Sequence, residues 1–243
     1  MNNTIKELFE RKSVRVFTDE EISKEQREEI LTSAMQAPTA GNQQMYTIID
    51  IQNQDIKDKM AILCDNQPFI AKAKLVLVFC ADFRKWYDAF VVAGANPRKP
   101  AVGDLMISVT DASIAAQNAV VAAHSMGIGS CYIGDVMENA EKMKETLNLP
   151  KYVFPCVMLV FGYPTQQQKD RPKPLRSNLE DIVCIDTYKE KDEEALKKLF
   201  ANKYANSTFE EWAKAFCNRK YNSDFSKEMS RSVKEYLKEY LAD

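Results

Sequence analysis

The run from Gly103 to Met126, GDLMISVTDASIAAQNAVVAAHSM, constrains the fold more than any other part of the chain. Leu105, Ile107, Val109, Ile114, Ala115, Ala119, Val120 and Ala123 spread nearly all round a helix of this length, so both of its faces must be buried. One arrangement that does this in 243 residues is a central helix that also meets a second subunit. Asp111, Gln117, Asn118 and His124 interrupt the run, which is therefore not read as a membrane span.

The elements around this helix follow from period and punctuation. KLVLVFCAD (74–82) is continuously apolar and short, the pattern of a strand buried on both faces. VFPCVMLVFGYP (153–164) reads as a second central strand, ended by Gly162 and Pro164, and YTIIDIQ (46–52) as a third. Ser23 and Gln26 stand at capping-box spacing, opening a helix that carries Ile30, Leu31, Ala34 and Met35 as far as Pro38. DIKDKMAILC is helical, and Asp135 with Glu138 predicts the cap of another helix over DVMENAEKMKETLNLP. Past Asp186 the composition shifts to Lys, Glu and Tyr with helical period. We therefore expect one domain, with a core over 1–186 and a helical extension over 187–243 that wraps the core and a partner.

Charge and residue usage narrow the chemistry. The net charge of -2 gives no field to draw the chain onto nucleic acid or anionic lipid. The opening MNNTIKELFERKS has acids and no apolar stretch of the signal-peptide kind, so a cytoplasmic location is expected. The six cysteines form no CxxC, and Cys80 and Cys156 fall inside strand-like runs, where a free thiol acts as a small hydrophobe. A single histidine, His124, excludes a His-rich metal site, and no metal is expected. A chain so poor in acid–base groups needs a borrowed cofactor for difficult chemistry.

Four stretches could carry a site. Arg11, Ser13 and Arg15 alternate, and in an extended segment they would share a face at roughly 6.6 Å spacing, two guanidiniums flanking a hydroxyl, with Val14 and Val16 opposite. That suits a phosphate ester; a basic, solvated lead-in to a helix accounts for it equally well. APTAGNQQMYT (37–47) clusters amides and hydroxyls that can read a heterocycle, or it is an ordinary polar turn. GIGSCYIGD (127–135) has its glycines at 127, 129 and 134 and follows a helix, so it is not a dinucleotide fingerprint. It reads as a small-residue loop with open backbone N–H groups before a helix cap. In KDRPKPLR (169–176), Lys169 and Arg171 repeat the basic spacing in a stretch that proline would keep extended.

Taken in order, these pieces resemble the FMN-dependent nitroreductases, in particular the NADPH-preferring group with oxygen-insensitive nitroreductases and NADPH–flavin oxidoreductases. RKSVRVFTDEEIS looks like the R-S-x-R-x-F-x-x-E-x-I motif; FCADF, AQNAVVAAHSMGIGSCYIG, FGYP and KDRPKPLR follow at the expected spacing, and NRKYNSDFSKEMSRSVKEYLKEYL looks like the group's C-terminal arm. The resemblance covers essentially the whole chain. It implies an α+β three-layer sandwich with a mostly antiparallel sheet, an obligate homodimer, and FMN at the interface. It implies that Arg11, Lys12, Ser13 and Arg15 hold the phosphate and ribityl side, with Lys169 and Arg171 closing on the phosphate and Gln67 on the ribityl chain or ring edge. Tyr132, Ile133 and Gly134 would present backbone to the ring. Asp135 stands where a second glycine is common, so its backbone and not its side chain would serve. Thr39 and Asn42 match a loop that reaches the flavin from the other subunit. Arg219 and Lys220, in CNRKYNS, are placed in a polar turn near the expected NADPH 2′-phosphate contact. The implied activity is ping-pong transfer from NADPH to a nitroaromatic, quinone or free flavin, with no protein residue as catalytic base.

Overall fold

The computed structural model describes residues 1–241 and divides into two compact units, Met1–Arg171 with the chain from Glu228 onward, and Pro172–Lys227. The break expected after residue 186 falls inside the second unit.

The first unit opens with α1 (Asn3–Glu10), an element the acidic opening does not announce; the Asn2 side chain caps it by accepting from the Ile5 N–H at 3.0 Å. Helix α2 (Lys24–Met35) forms behind the expected capping box, in which Ser23 and Gln26 satisfy each other's backbone N–H. Then come β1 (Tyr46–Asp50), α3 (Gln54–Leu63), α4 (Pro68–Lys72), β2 (Leu75–Asp82), α5 (Arg84–Val92), α6 (Val102–Ser125), β3 (Gly129–Ile133), α7 (Ala140–Leu147), β4 (Val153–Gly162) and α8 (Gln166–Asp170).

The sheet has the order β1-β2-β4-β3, with every neighbouring pair antiparallel. All eight residues of β2 are buried, as its uninterrupted apolar run requires. Its alternate side chains feed two different cores. Leu75, Leu77, Phe79 and Ala81 pack with Ile30 and Ala34 of α2, the alanine face of α6 and Tyr236; Val76, Val78 and Cys80 pack with Met60, Ile70 and Met143 from α3, α4 and α7. A sheet between two helical layers is the α+β sandwich expected from the sequence.

Helix α6 buries Leu105, Ala112, Ala115, Ala116, Ala119, Val120 and Ala123. By length and composition it would also span a bilayer, but here it packs against α2 and the sheet. Met106, Ile107 and Ile114 stay 59%, 46% and 36% exposed, so one stripe of the expected all-round burial is open within a single chain.

Two local expectations are corrected. Gly129–Ile133 is an edge strand, not an open loop, because its backbone groups pair with β4. The capping box at Asp135 and Glu138 does not form. Gly134–Met137 makes a 3-10 turn, Asn139 takes a left-handed conformation (φ 49°), and α7 starts only at Ala140. Glu138 is left buried, at 4% exposure.

The second unit holds α9 (Leu179–Ile182), α10 (Glu193–Phe200) and α11 (Phe209–Lys220), and α12 (Asp224–Leu241) begins in it. Half-buried aromatic rings cluster in it: Trp212 lies 5.4 Å from Phe200 and 5.5 Å from Phe216 between centroids, and Tyr204 lies 5.5 Å from Phe209. Lys197 joins α10 to α11 through Glu210 at 3.3 Å.

Candidate functional site

The basic N-terminal segment is sewn onto the edge of the sheet. Arg11 caps α1, its N–H donating to the Glu7 carbonyl at 2.9 Å. The chain then runs beside β3, where Ser13 forms a parallel bridge with Ser130 and the Val14 N–H donates to the Ser130 carbonyl at 2.9 Å. Farther on, Phe17 bridges Pro164 and the Thr18 N–H donates to the Tyr163 carbonyl at 2.8 Å. Two glycines allow this approach. A Cβ on Gly129 would sit 2.7 Å from Val14 Cγ2, and one on Gly162 would sit 2.7 Å from the Phe17 ring. The glycine at 129 therefore serves close backbone packing and not an anion loop. Val14 is buried as expected, whereas Val16 is 46% exposed; the segment is pinned at 13–14 and again at 17–18, not paired throughout.

The second basic stretch meets the first. Lys12 Nζ donates to the carbonyls of Lys169, at 2.6 Å, and Arg171, and the Arg171 guanidinium donates to the Ser13 carbonyl. The Arg15 N–H donates to Oε1 of the buried Gln168 at 3.2 Å. The extended geometry expected for Lys169 and Arg171 is corrected here. The Thr165 carbonyl accepts from the N–H groups of Gln168 and Lys169 at 2.9 and 3.0 Å, so Lys169 lies in the last turn of α8 and Arg171 caps it.

The two segments that carry Arg11, Lys12, Arg15, Lys169 and Arg171 thus meet, and among the described residues none of these cations pairs with a carboxylate. Arg11 Nη1 and Arg171 Nε are buried without a hydrogen-bond partner. Buried guanidinium N–H groups left unpaired are costly, and an anionic acceptor would satisfy them. Arg15 is exposed, its Cζ 6.0 Å from the Phe69 centroid, and a cavity of about 750 Å³ opens beside it, lined also by Phe17, Lys57 and Lys72. Below the cations lies the Cys131 thiol, pushed up by burial while Arg15, Ser13 and Arg11 pull the other way.

Around this cluster, Tyr132 donates its hydroxyl to Gln117 Oε1 at 3.0 Å; burial pushes the phenol up to about 12, with Arg11 opposing. Ile133 is buried at the end of β3, and Gly134 and Asp135 open the 3-10 turn. Gln67 caps α4, its amide donating to the Cys64 carbonyl at 2.8 Å. The 64–67 loop and the turn after β3 are neighbours: Asn139 Nδ2 donates to the Leu63 carbonyl at 2.9 Å, and Asp65 and Asp135 both act on Glu138. Burial and these acids, with Glu228, raise the Glu138 carboxyl to about 7, and its Oε1 has no partner.

Thr39 and Asn42 are not tied to the cluster by any hydrogen bond among the described residues. They sit on a loop held against α6 by Asp111, which accepts from the N–H groups of Ala40 at 3.0 Å and Met45 at 3.2 Å. Arg219 and Lys220 belong to the second unit. They occupy the last turn of α11, not a polar turn, since the Cys217 carbonyl accepts from the Tyr221 N–H at 2.8 Å and carries the helix past them. Arg219 Cζ stands 5.5 Å from the Phe216 centroid. Sequence reasoning missed Gln168, Glu138 and the loop role of Asp111; only Asp111 leaves a signal, as an acid inside an apolar helix.

The Nitroreductase family model matches residues 8–163. The chain belongs to the nitroreductase family. That span takes in the Arg11–Arg15 segment, the loop at 39–42 and β3. An FMN reductase (NAD(P)H) of Bacillus subtilis is 32% identical over 238 residues, covering 97% of this chain and 91% of that protein. A Cr(VI) reductase of Pseudomonas sp. is 32% identical over 244 residues, covering 98% and 97%. Among solved structures, B. megaterium NfrA2 superposes with a TM-score of 0.82 at 28% identity, covering 97% of this chain and 98% of that one.

Proposed function

We propose that this nitroreductase is an FMN-dependent NAD(P)H oxidoreductase that reduces small acceptors such as nitroaromatics, quinones or free flavin. The observation that carries the reading is the meeting of two basic segments whose five cations have no carboxylate partner among the described residues, two of them with buried N–H groups unpaired. A phosphate monoester supplies the acceptors such a cluster needs.

Arg11, Arg15, Lys169 and Arg171 would hold the phosphate, with Lys12 and Ser13 fixing the two strands of the cradle to each other. Gln67 and the backbone of Tyr132, Ile133, Gly134 and Asp135 would border the ring. When bound, FMN would supply the redox chemistry between NADPH and the acceptor. The protein's part is position and field. The cations and the edge-strand backbone favour negative charge at the site, and no side chain is required to abstract a proton.

The reading includes a cytoplasmic homodimer. Met106, Ile107 and Ile114 on the open stripe of α6 are apolar surface that a second copy would cover, with the C-terminal extension as its arm, and Thr39 and Asn42 would reach the flavin of the other subunit. Arg219 and Lys220 would take the 2′-phosphate of NADPH. The test is the purified protein itself: about one FMN per chain, in a dimer by light scattering, supports the reading. Colourless protein that does not take up FMN after refolding removes it.

A further inference from the structure

Asp111 is 2% exposed on α6, and among the described residues no cation pairs with it. A carboxylate is expensive to bury, and a neutral side chain of similar size would cost less there. Its two oxygens are spent on one object. Oδ1 accepts from the Ala40 N–H and Oδ2 from the Met45 N–H, at the two ends of the loop that carries Thr39 and Asn42. Within the loop, Gly41, Asn42 and Gln44 all have left-handed backbone, with φ of 56°, 55° and 49°. Two of these are not glycine, and such a conformation persists only where the surroundings hold it. The Thr39 hydroxyl contributes by accepting from the Gln44 N–H at 3.2 Å, and two charge-assisted bonds from Asp111 do the rest. Between loop and helix lies a cavity of about 260 Å³, lined by Thr39, Ile107, Thr110, Asp111 and Ile114.

We infer that Asp111 is a positioning residue for turnover, clamping the Thr39–Asn42 loop to α6 in the one conformation that serves the active site. The inference rests on the reading above that this loop borders the flavin. Asp111 lies on the same helix as the apolar stripe, so one element fixes both the dimer face and the loop beside it.

The test is a mutant cycle on the FMN-loaded dimer with NADPH and a nitroaromatic acceptor. Asp111→Asn keeps the size but turns an amide donor onto one backbone N–H. It is expected to lower kcat/KM by roughly tenfold or more, the scale on which small misplacements act, while FMN content stays near one per chain. Ala40→Pro leaves Asp111 intact and deletes the N–H at the first position of a 3-10 turn, which tolerates proline. It should lower kcat/KM in the same way, and it replaces Asp111→Asn in the cycle should that variant fail to fold. In a Thr39→Ala/Asn42→Ala background, Asp111→Asn should then change kcat/KM by less than about twofold, because its route to the chemistry has already been removed. A full, multiplicative effect in that background would overturn the positioning role, as would an unchanged kcat/KM for Asp111→Asn alone. If Thr39→Ala/Asn42→Ala by itself leaves the rate unaltered, it is the placement of the loop at the flavin that fails, and the Asp111 inference falls with it.

Discussion

Lys12 Nζ donates to the backbone carbonyl of Lys169 at 2.6 Å, across 157 positions of chain. This contact joins the two basic stretches, and it directs the Lys12 charge to backbone, leaving Arg11, Arg15, Lys169 and Arg171 as the cations with capacity for a ligand. The first prediction follows from that division. Arg15→Ala should give a folded protein with FMN affinity weakened roughly ten- to a hundredfold, since a hydrogen bond to a charged group contributes ~1.5–3 kcal/mol. Flavin retained through dialysis measures it; full retention would remove Arg15 from the phosphate site.

Gly129→Ala should disturb the same cradle without touching a charge. The added Cβ meets Val14 Cγ2 at 2.7 Å and Cβ at 2.8 Å, so the basic segment must lift off β3. Overpacking of this kind costs about 1–3 kcal/mol. A lowered Tm together with weaker FMN binding is expected, and Val14→Ala in the same chain should restore part of both.

Glu138 gives the stability a pH dependence of definite sign. Its folded carboxyl titrates near 7, raised chiefly by burial and then by Asp135, Asp65 and Glu228, against 4.5 for the ordinary group. The folded state therefore holds this proton more tightly than the unfolded chain does, and stability falls as pH rises from about 4.5 through about 7. The loss is on the order of 3 kcal/mol. Glu138→Gln should flatten that part of the denaturation profile and raise stability above neutral pH. An identical slope in wild type and variant would show that Glu138 is not the group responsible.

Neutralising Arg219 and Lys220 together should raise the KM for NADPH with little change in kcat, because only ground-state binding is lost. Both are exposed at the end of α11, so the effect should shrink as salt rises. Steady-state kinetics at two ionic strengths measure it, and equal efficiency with NADH and NADPH in the unmodified enzyme would leave the pair without a role.

What the sequence made legible tracks how local the signal is. β2 and β4 announce themselves because a strand buried on both faces needs no alternation, and α2 because Ser23 and Gln26 form their cap from neighbouring residues. β3 was opaque: five residues with a glycine become a strand only through pairing with β4, and Gly129 earns its place through Val14, which is more than a hundred residues away. The basic residues were readable as candidates, yet not which of them keep free capacity. That depends on Lys12 finding the carbonyls of Lys169 and Arg171, a tertiary event. From the sequence Asp111 reads only as an interruption of an apolar run, because the loop it holds reaches it through a tertiary contact.

The central claim, that this cradle holds a flavin which NADPH reduces and a small acceptor reoxidises, is tested most directly by anaerobic titration of the purified protein. The account predicts that about one equivalent of NADPH per chain bleaches the flavin absorption band. A nitroaromatic or quinone added after the NADPH is consumed should then restore it. Bound flavin that NADPH leaves unbleached would contradict the account.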